Sequence, residues 1–224
     1  MDFDFIRRFT PMYVKAAGLT LRIGAIGIAL SLVVGALCCL ARYFRVPLLR
    51  QIAAAYIELA RNTPLLVQLF FLYFGLPKVG VKLSAEACAI TGLTFLGGAY
   101  MAEALRSGLD AVDKAQTESG LCIGLTTLQN LRYVILPQAL ATSIPAIGAN
   151  AIFLIKETSV FSAVALADLM YVAKDLIGMY YKTDEALLML TVAYLTLLLP
   201  ISVAFTLLER RLRYAGFGGA VQGQ

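Results

Sequence analysis

The sequence contains no histidine and no tryptophan, and only 15 % of its residues are charged. Without imidazole, the chain has no Ser-His or Cys-His nucleophile, lacks the commonest metal ligand and has no proton shuttle tuned to neutral pH. It also has no Gly-x-x-x-x-Gly-Lys-Ser/Thr loop for cradling nucleotide phosphates. These absences predict that the chain is not an enzyme, holds no metal and has no cofactor of its own.

The cysteines are few and are not arranged as a metal or redox motif. They are Cys38, Cys39, Cys88 and Cys122, and no two of them form a C-x-x-C pair. Because each stands in or beside an apolar stretch, we predict small buried side chains rather than disulfides or metal ligands.

Apolar residues, in contrast, are in excess. The chain is 60 % hydrophobic, whereas ordinary soluble domains are about 45–50 % apolar. A chain of 224 residues is too short to bury that surplus in a core. We therefore expect an integral membrane protein, and we attribute its net charge of +5 to lipid contact and topology rather than to nucleic acid.

The apolar residues fall into five runs, each about long enough to cross a bilayer. The fold class predicted is all-α, an integral membrane helical bundle of about five transmembrane helices forming one domain over residues 1–224. Residues 1–17 are predicted to be an interfacial amphipathic segment and not a cleaved signal. The predicted spans are residues 19–40, 52–76, 85–105, 139–161 and 186–208.

An odd number of spans places the two termini on opposite sides of the membrane. Basic residues are slightly more frequent on one side, where tight clusters follow the first and the fifth spans. The positive-inside rule therefore predicts an external N-terminus and a cytoplasmic C-terminus. The clusters are Arg42, Arg45 and Arg50, and Arg210, Arg211 and Arg213.

Polar residues interrupt the second predicted span. Glu58 stands three and four residues before Arg61 and Asn62, a spacing that puts all three on one helix face. Two interpretations remain open: a buried pairing between helices, or a gate on a transport pathway. Pro64 follows and is expected to free a backbone carbonyl and kink the helix.

Carboxylates also end the third and fourth runs. Glu103 follows small residues that permit close backbone approach, and Lys156 and Glu157 precede Thr158 and Ser159. Such groups could hold a cationic moiety such as an α-ammonium, or they could pair across a subunit interface. The predicted boundaries put Glu103 near the inner end of its helix and Glu157 near the outer end of its own. They would share one site only if those boundaries moved by about one or two turns.

The least apolar stretch, residues 106–137, lies between the third and fourth spans. Residues 116–123 and 125–134 have helical spacing, Gly124 separates them, and Leu136-Pro137 is expected to end the second helix. About 30 amphipathic residues are long for a plain connection, so the pattern favours an exposed knob on the inner side.

Several motifs resemble those of a known family. Glu118-Ser119-Gly120, Gly124 and Leu136-Pro137 are spaced as in the permease loop of binding-protein-dependent ABC importers. Further motifs resemble the polar amino acid branch, the permeases for histidine, glutamine and arginine. They are Glu58 with the Arg61-Asn62-Thr63-Pro64 run, the run from Gly98 to Glu103, the run from Arg132 to Ala139, and Lys156-Glu157-Thr158-Ser159. Asn62, where the branch usually has Gly, and Glu157, where it has Asp, are departures.

The resemblance implies a type I importer permease in the bacterial inner membrane. Its implied partners are a second, identical or similar permease subunit, a cytoplasmic ATPase dimer that binds ATP and Mg, and a periplasmic or lipid-anchored amino acid binding protein. It implies a substrate site at Glu103, Glu157, Thr158 and Ser159. ATPase coupling would use Gln116, Glu118, Gly124, Leu136 and Pro137.

Two other functions compete with this one. An ion-coupled secondary amino acid transporter could use Glu103 or Glu157 as its ion site, but the sequence has no visible internal repeat, which many such transporters have. A membrane enzyme is the other alternative, but the sequence has no metal-ligand cluster or paired-carboxylate motif to support it.

Overall fold

The computed structural model of the chain describes residues 1–212, and these residues form helices and connecting turns without a β-strand. The all-α prediction is thereby confirmed. The α-helices are α1 (Phe3–Tyr43), α2 (Pro47–Arg61), α3 (Leu65–Phe70), α4 (Ala85–Asp110), α5 (Lys114–Cys122), α6 (Thr127–Asn130), α7 (Leu136–Glu157), α8 (Leu169–Tyr180) and α9 (Thr183–Leu212).

Within those residues, four helical stretches are long and apolar enough to cross a membrane, and a bent pair could supply a fifth crossing. The stretches are Phe3–Tyr43, Ala85–Asp110, Thr127–Val164 and Thr183–Arg211, and the pair is Pro47–Arg61 with Leu65–Val79. Each predicted span corresponds to one of these, with longer bounds in the structure.

The first helix runs without interruption from Phe3 to Tyr43. Its N-terminus is capped by Asp2, whose side chain accepts a hydrogen bond from the Phe5 amide at 3.0 Å. At 1.5 Å per residue the helix is about 60 Å long, about twice the hydrocarbon thickness of a bilayer. The segment predicted to lie on the interface is thus the first part of this helix. Its buried face packs against α8 and the start of α9 through Phe5, Phe9, Tyr13 and Ala16.

Helices α1 and α4 lie against each other with small residues at the contact. A Cβ atom added at Gly35 of α1 would stand 2.7 Å from the Met101 Cβ and 2.8 Å from the Ala102 amide nitrogen of α4. A Cβ added at Gly98 of α4 would come within 2.7 Å of Val34. The glycines therefore allow the two backbones to approach closely, as small residues do in membrane helix pairs.

The second predicted span is broken, and its two halves meet at 102°. Proline lacks an amide hydrogen and disfavours helix in the residue before it, so Pro64 breaks the span, where the sequence predicts only a kink. Side chains satisfy the carbonyls that the break sets free: Gln68 Nε2 donates to the carbonyls of Ala60 at 3.2 Å and Thr63 at 3.0 Å. Thr63 Oγ1 donates to the Leu59 carbonyl at 2.7 Å. These hydrogen bonds stabilise the broken form of the span.

The connection between α4 and α7 contains a compact knob, made of α5, α6 and the turn between them. Gly124 has a φ of +87°, a left-handed conformation that glycine adopts without strain. Gly120 packs against Asn130, and a Cβ at Gly120 would stand 2.7 Å from the Asn130 Cγ. Asn130 Nδ2 in turn donates to the Thr117 carbonyl at 2.7 Å. The absence of a side chain at Gly120 therefore lets α5 and α6 pack together.

Two expectations about this region were wrong. Leu136-Pro137 does not end a helix, because the chain continues from α6 through the π-helical turn Leu131–Ile135 into α7, with Pro137 in the first turn of α7. The helical spacing of residues 116–123 also predicts Glu118 near a helix start, but α5 begins earlier, at Lys114, and Asp113 caps it.

The cysteine prediction holds for most positions and fails at one. Cys39 and Cys88 are buried, Cys38 is half-buried, and all four cysteines are free. Cys122 is exposed, because it ends α5 on the surface of the knob. At the other end of the chain, Arg210 and Arg211 lie in the last turn of α9, whereas Arg213 lies outside the described residues.

Candidate functional site

A cavity of about 370 Å³ opens where the second span breaks. One side of it is the break itself, and the other sides come from the middle of α4 and the end of α7. The lining residues are Arg61, Asn62, Thr63, Pro64, Leu65, Leu96, Tyr100, Phe153 and Glu157.

One positively charged and one negatively charged side chain, Arg61 and Glu157, line the cavity. The Arg61 guanidinium carbon lies 5.4 Å from the centre of the Tyr100 ring, in cation–π contact. Glu157 is half-buried and is the last residue of α7. Within residues 1–212 neither side chain forms an ion pair. Two opposite charges left available in one cavity suit a ligand that itself carries both charges.

Glu103 does not line this cavity. It lies one helical turn past Tyr100, and both of its carboxylate oxygens accept hydrogen bonds from arginines. Arg42 Nη1 of α1 donates at 2.6 Å and Arg106 Nη2 donates at 2.8 Å. The structure therefore brings Glu157 to the cavity and holds Glu103 further along α4, in contact with Arg42 and Arg106, so only Glu157 of the two glutamates lines this cavity.

The hydroxyl residues after Glu157 occupy different surroundings. Thr158 is fully buried, and its hydroxyl donates to the Ile155 carbonyl at 2.7 Å. Ser159 is half-buried, and its carbonyl accepts from the Ser162 hydroxyl at 3.3 Å. Neither residue lines the cavity, and both belong to the 3-10 helix Thr158–Val164 that follows α7.

Of the three polar residues on α2, only two reach the cavity. Arg61 and Asn62 line it, and Glu58 is exposed one turn earlier. Within α2, Asn62 Nδ2 donates a hydrogen bond to Glu58 Oε2 at 3.3 Å and a shorter one to the Glu58 carbonyl at 2.8 Å. Asn62 thus helps to end α2.

The residues expected to couple to an ATPase lie in and beside the knob. Gln116, Glu118 and Gly124 are exposed on it. Leu136 and Pro137 stand at its base, in the first turn of α7. Exposed apolar side chains that the sequence motifs did not single out surround the Gly124 turn: Leu121 is 49 % exposed, Ile123 77 % and Leu128 66 %. Their clustering about a glycine in a polar segment is the signal that could have identified them.

At the opposite end of the bundle, Asp2 connects the first helix to the α8–α9 region, and Asp168 caps α8. Asp2 is partly exposed, and its pKa is lowered by the Phe5 amide and by Lys182, whose Nζ lies 3.2 Å from Asp2 Oδ2. Asp168 is fully buried at the start of α8. Burial raises the pKa of Asp168 to about 6, even though its carboxylate accepts hydrogen bonds from the Tyr171 and Met170 amides.

Comparison with known proteins gives consistent matches over most of the chain. The family model for the binding-protein-dependent transport system inner membrane component matches residues 25–214. A probable amino-acid ABC transporter permease protein of Vibrio harveyi, PatM, is 36 % identical over 196 residues, which are 86 % of this chain and 88 % of PatM. The glutamine transport system permease protein GlnP of Escherichia coli K12 is 34 % identical over 217 residues, 95 % of this chain and 99 % of GlnP.

Solved structures agree with these matches. A chain from the crystal structure of an amino acid ABC transporter with histidines superimposes with a TM-score of 0.89 at 31 % identity, covering 94 % of this chain and 99 % of that one. A chain of the MetNI methionine ABC transporter in an inward-facing conformation gives a TM-score of 0.73 at 22 % identity, covering 95 % of this chain and 99 % of its own, and supports the fold alone.

These matches confirm the interpretation as an ABC permease rather than an ion-coupled transporter. They also agree with a subunit that performs no catalysis, since ATP hydrolysis in such systems belongs to a separate ATPase. The chain therefore belongs to the family of binding-protein-dependent transport system inner membrane components, and it is a multi-pass permease subunit of an ABC importer.

Proposed function

We propose that the chain moves a polar amino acid across the inner membrane of a bacterium and that the cavity at the break of the second span is its substrate site. The observation that carries this proposal is the joint presence of Arg61 and Glu157 in one cavity of about 370 Å³. That volume is within the range of small-molecule sites. The relatives named for glutamine or for amino acids in general support the same class of substrate.

The two charges divide the recognition of a zwitterion between them. The Glu157 carboxylate binds the α-ammonium group, and the Arg61 guanidinium binds the α-carboxylate as a planar fork. Thr158 and Ser159 hold the end of α7 that presents Glu157. Tyr100 and Phe153, whose ring centres lie 5.2 Å apart, together form one aromatic wall of the cavity. Glu103 has no part in this site.

A second permease subunit, identical or similar, faces the side of α2 that carries these charges. Glu58 and Arg61 are both exposed, although the apolar residues around them belong to a predicted membrane-spanning pair. A charge exposed to lipid at this depth is costly and normally faces a water-filled cavity or a protein partner. A pathway between two subunits gives both residues such surroundings, where they act as a gate.

The knob docks onto a cytoplasmic ATPase, which binds ATP and Mg. Leu121, Ile123 and Leu128 are apolar and exposed on a segment too polar to lie in lipid, so an apolar groove on the partner is their expected contact. Glu118 and Gln116 supply polar contacts, and Gly124 and the Leu136-Pro137 pair set the direction of the knob. This placement puts the C-terminus inside and the N-terminus outside, where an amino acid binding protein docks.

The substrate site is tested by replacing Glu157 with Gln and measuring uptake of radiolabelled amino acids. Loss of one charge-assisted hydrogen bond is expected to raise the apparent KM by about ten-fold or more, because such bonds contribute roughly 1.5–3 kcal/mol. Lys156→Gln is the matched control, since Lys156 is the adjacent residue, is exposed and does not line the cavity. Equal uptake by E157Q and wild type would remove Glu157 from the site.

A further inference from the structure

A network of ion pairs joins the inner ends of α1 and α4. Arg42, in the last turn of α1, contacts Glu103 of α4 with 2.6 Å between Nη1 and Oε1. Arg106 holds the other Glu103 oxygen at 2.8 Å and reaches Asp110 at 2.8 Å through its Nη1 atom. The network carries two positive and two negative charges, so it is balanced without a further partner.

The network leads directly into the knob. Asp110 is the last residue of α4, and Asp113, three residues later, caps α5 by accepting a hydrogen bond from the Ala115 amide at 2.9 Å. A displacement of α5 therefore reaches the end of α4 through a very short connection. From there Arg106 and Glu103 connect it to the end of α1.

The remaining length of the α1–α4 contact is already close-packed. Gly35 lies against Met101 and Ala102, and Gly27 lies against Leu93, where an added Cβ would approach within 2.6 Å. Interfaces of this kind respond to force as rigid units. The last turn of α1, beyond Gly35, has no such glycine contact, and there the Arg42–Glu103 pair connects the helices.

We infer that Arg42, Glu103 and Arg106 are positioning residues that make the inner ends of α1 and α4 move as one body when the knob moves. This inference rests on the proposed docking of the knob to an ATPase. The proposed role of the network is energy coupling. With the Arg42–Glu103 pair intact, movement of α5 shifts α1 and α4 together. Without that pair, the end of α4 moves while α1 stays behind, and less substrate is transported for each ATP hydrolysed.

The chain offers a matched control at the other end of the same two helices. Arg22 of α1 and Glu86 of α4 form an ion pair with 2.6 Å between Nη2 and Oε1. Their side chains are 57 % and 50 % exposed, and the pair is far from the knob. Both pairs join α1 to α4, so a purely stabilising role predicts similar effects of breaking either one.

The experiment compares Arg42→Gln, Arg42→Lys and Arg22→Gln with wild type in proteoliposomes, together with the ATPase that co-purifies with the chain and its binding protein. R42Q leaves Glu103 paired with Arg106, so no acid is left without a partner. The quantity measured is the number of radiolabelled amino acid molecules taken up per ATP hydrolysed. We expect this ratio to fall at least about five-fold in R42Q, the lower end of typical coupling effects. R42K should recover part of it, and R22Q should keep the wild-type ratio.

Two results would overturn the inference: an unchanged ratio in R42Q, or an equal fall in R22Q. Both are read in a system where wild type shows ATP-dependent uptake and binds its ATPase. If wild type lacks either property, the proposed function fails instead, so the two failures are distinguishable. Melting temperatures of the purified variants, measured in parallel, show whether a fall in the ratio follows from loss of folding.

Discussion

Asp168 is a buried carboxyl group in a chain that has no histidine. It caps α8, with Oδ1 3.0 Å from the Tyr171 amide nitrogen, and it lies outside the membrane-spanning stretches. Desolvation raises its pKa from 3.8 to about 6, so the folded protein binds this proton more tightly than the unfolded chain does. Stability from this group is complete below about pH 4 and is lost as the pH rises through 6.

Replacement of Asp168 by Asn should abolish this pH dependence. The wild type should be more stable at pH 5 than at pH 7 by about 1 kcal/mol from this group, whereas D168N should keep the cap without titrating. The absence of histidine leaves few other groups to titrate in that interval. Thermal unfolding in detergent at both pH values checks this. An identical pH response of both proteins would mean that Asp168 has an ordinary pKa.

Glu103 and Glu157 illustrate what residue patterns can and cannot predict. Both end apolar runs, and the sequence identifies them as carboxylates placed beside a membrane interior. Their different surroundings depend on partners that are distant in the chain, since Arg42 is 61 residues from Glu103. The sequence assigns Arg42 only to topology, because nothing local indicates its ion pair. Arg61 and Tyr100 likewise meet only through the packing of α2 against α4.

At the scale of elements, the α1–α4 contact depends on glycine at several points. Gly35 faces the backbone of α4, whereas a Cβ added at Gly18 of the same helix would have no atom within 4 Å. The two positions therefore separate the effect of close packing from the intrinsic effect of glycine on helix stability.

Gly35→Val should lower stability by about 1–3 kcal/mol, the usual cost of inserting atoms into a packed interface. Gly18→Val adds the same atoms to open space and should change little. Melting temperatures of the two variants in the same detergent provide the comparison. Equal melting temperatures would contradict the close approach of α1 and α4.

In the knob, the sequence predicts the two short helices but not how they pack or how the second continues into α7. Gly124 and the flanking helical periodicity indicate two short helices, and the structure has them on either side of that residue. The packing of Gly120 on Asn130 and the helical continuity through Leu136 depend on contacts and on a π-helical turn, which periodicity does not register.

Gly124→Leu should weaken association with the ATPase. A leucine at φ +87° is strained by about 1–3 kcal/mol, so the turn should shift and redirect the knob. Gly178→Leu, in α8 and away from the knob, is the matched control because no atom lies within 4 Å of its added Cβ. Co-purification of the ATPase with each variant is the measurement. Full recovery of the ATPase with G124L would argue against docking through this turn.

For the whole molecule, apolar run length was sufficient to predict the helical bundle and its spans, because bilayer thickness imposes length directly on sequence. It was not sufficient to predict the 102° break, which makes one span into two sides of a cavity. Pro64 signalled a kink, but its size depends on Gln68 and Thr63, whose hydrogen bonds stabilise the bent form. The same break supplies most of the residues of the proposed substrate site.

The central claim is that this permease moves its substrate with energy from ATP hydrolysed by a partner. Amino acid uptake into proteoliposomes containing the chain, its ATPase and its binding protein tests this most directly, with ATP supplied or omitted and the proton gradient intact or collapsed. Uptake should require ATP and the ATPase, and it should persist without a proton gradient. Uptake that follows the proton gradient when the ATPase is absent would contradict the account.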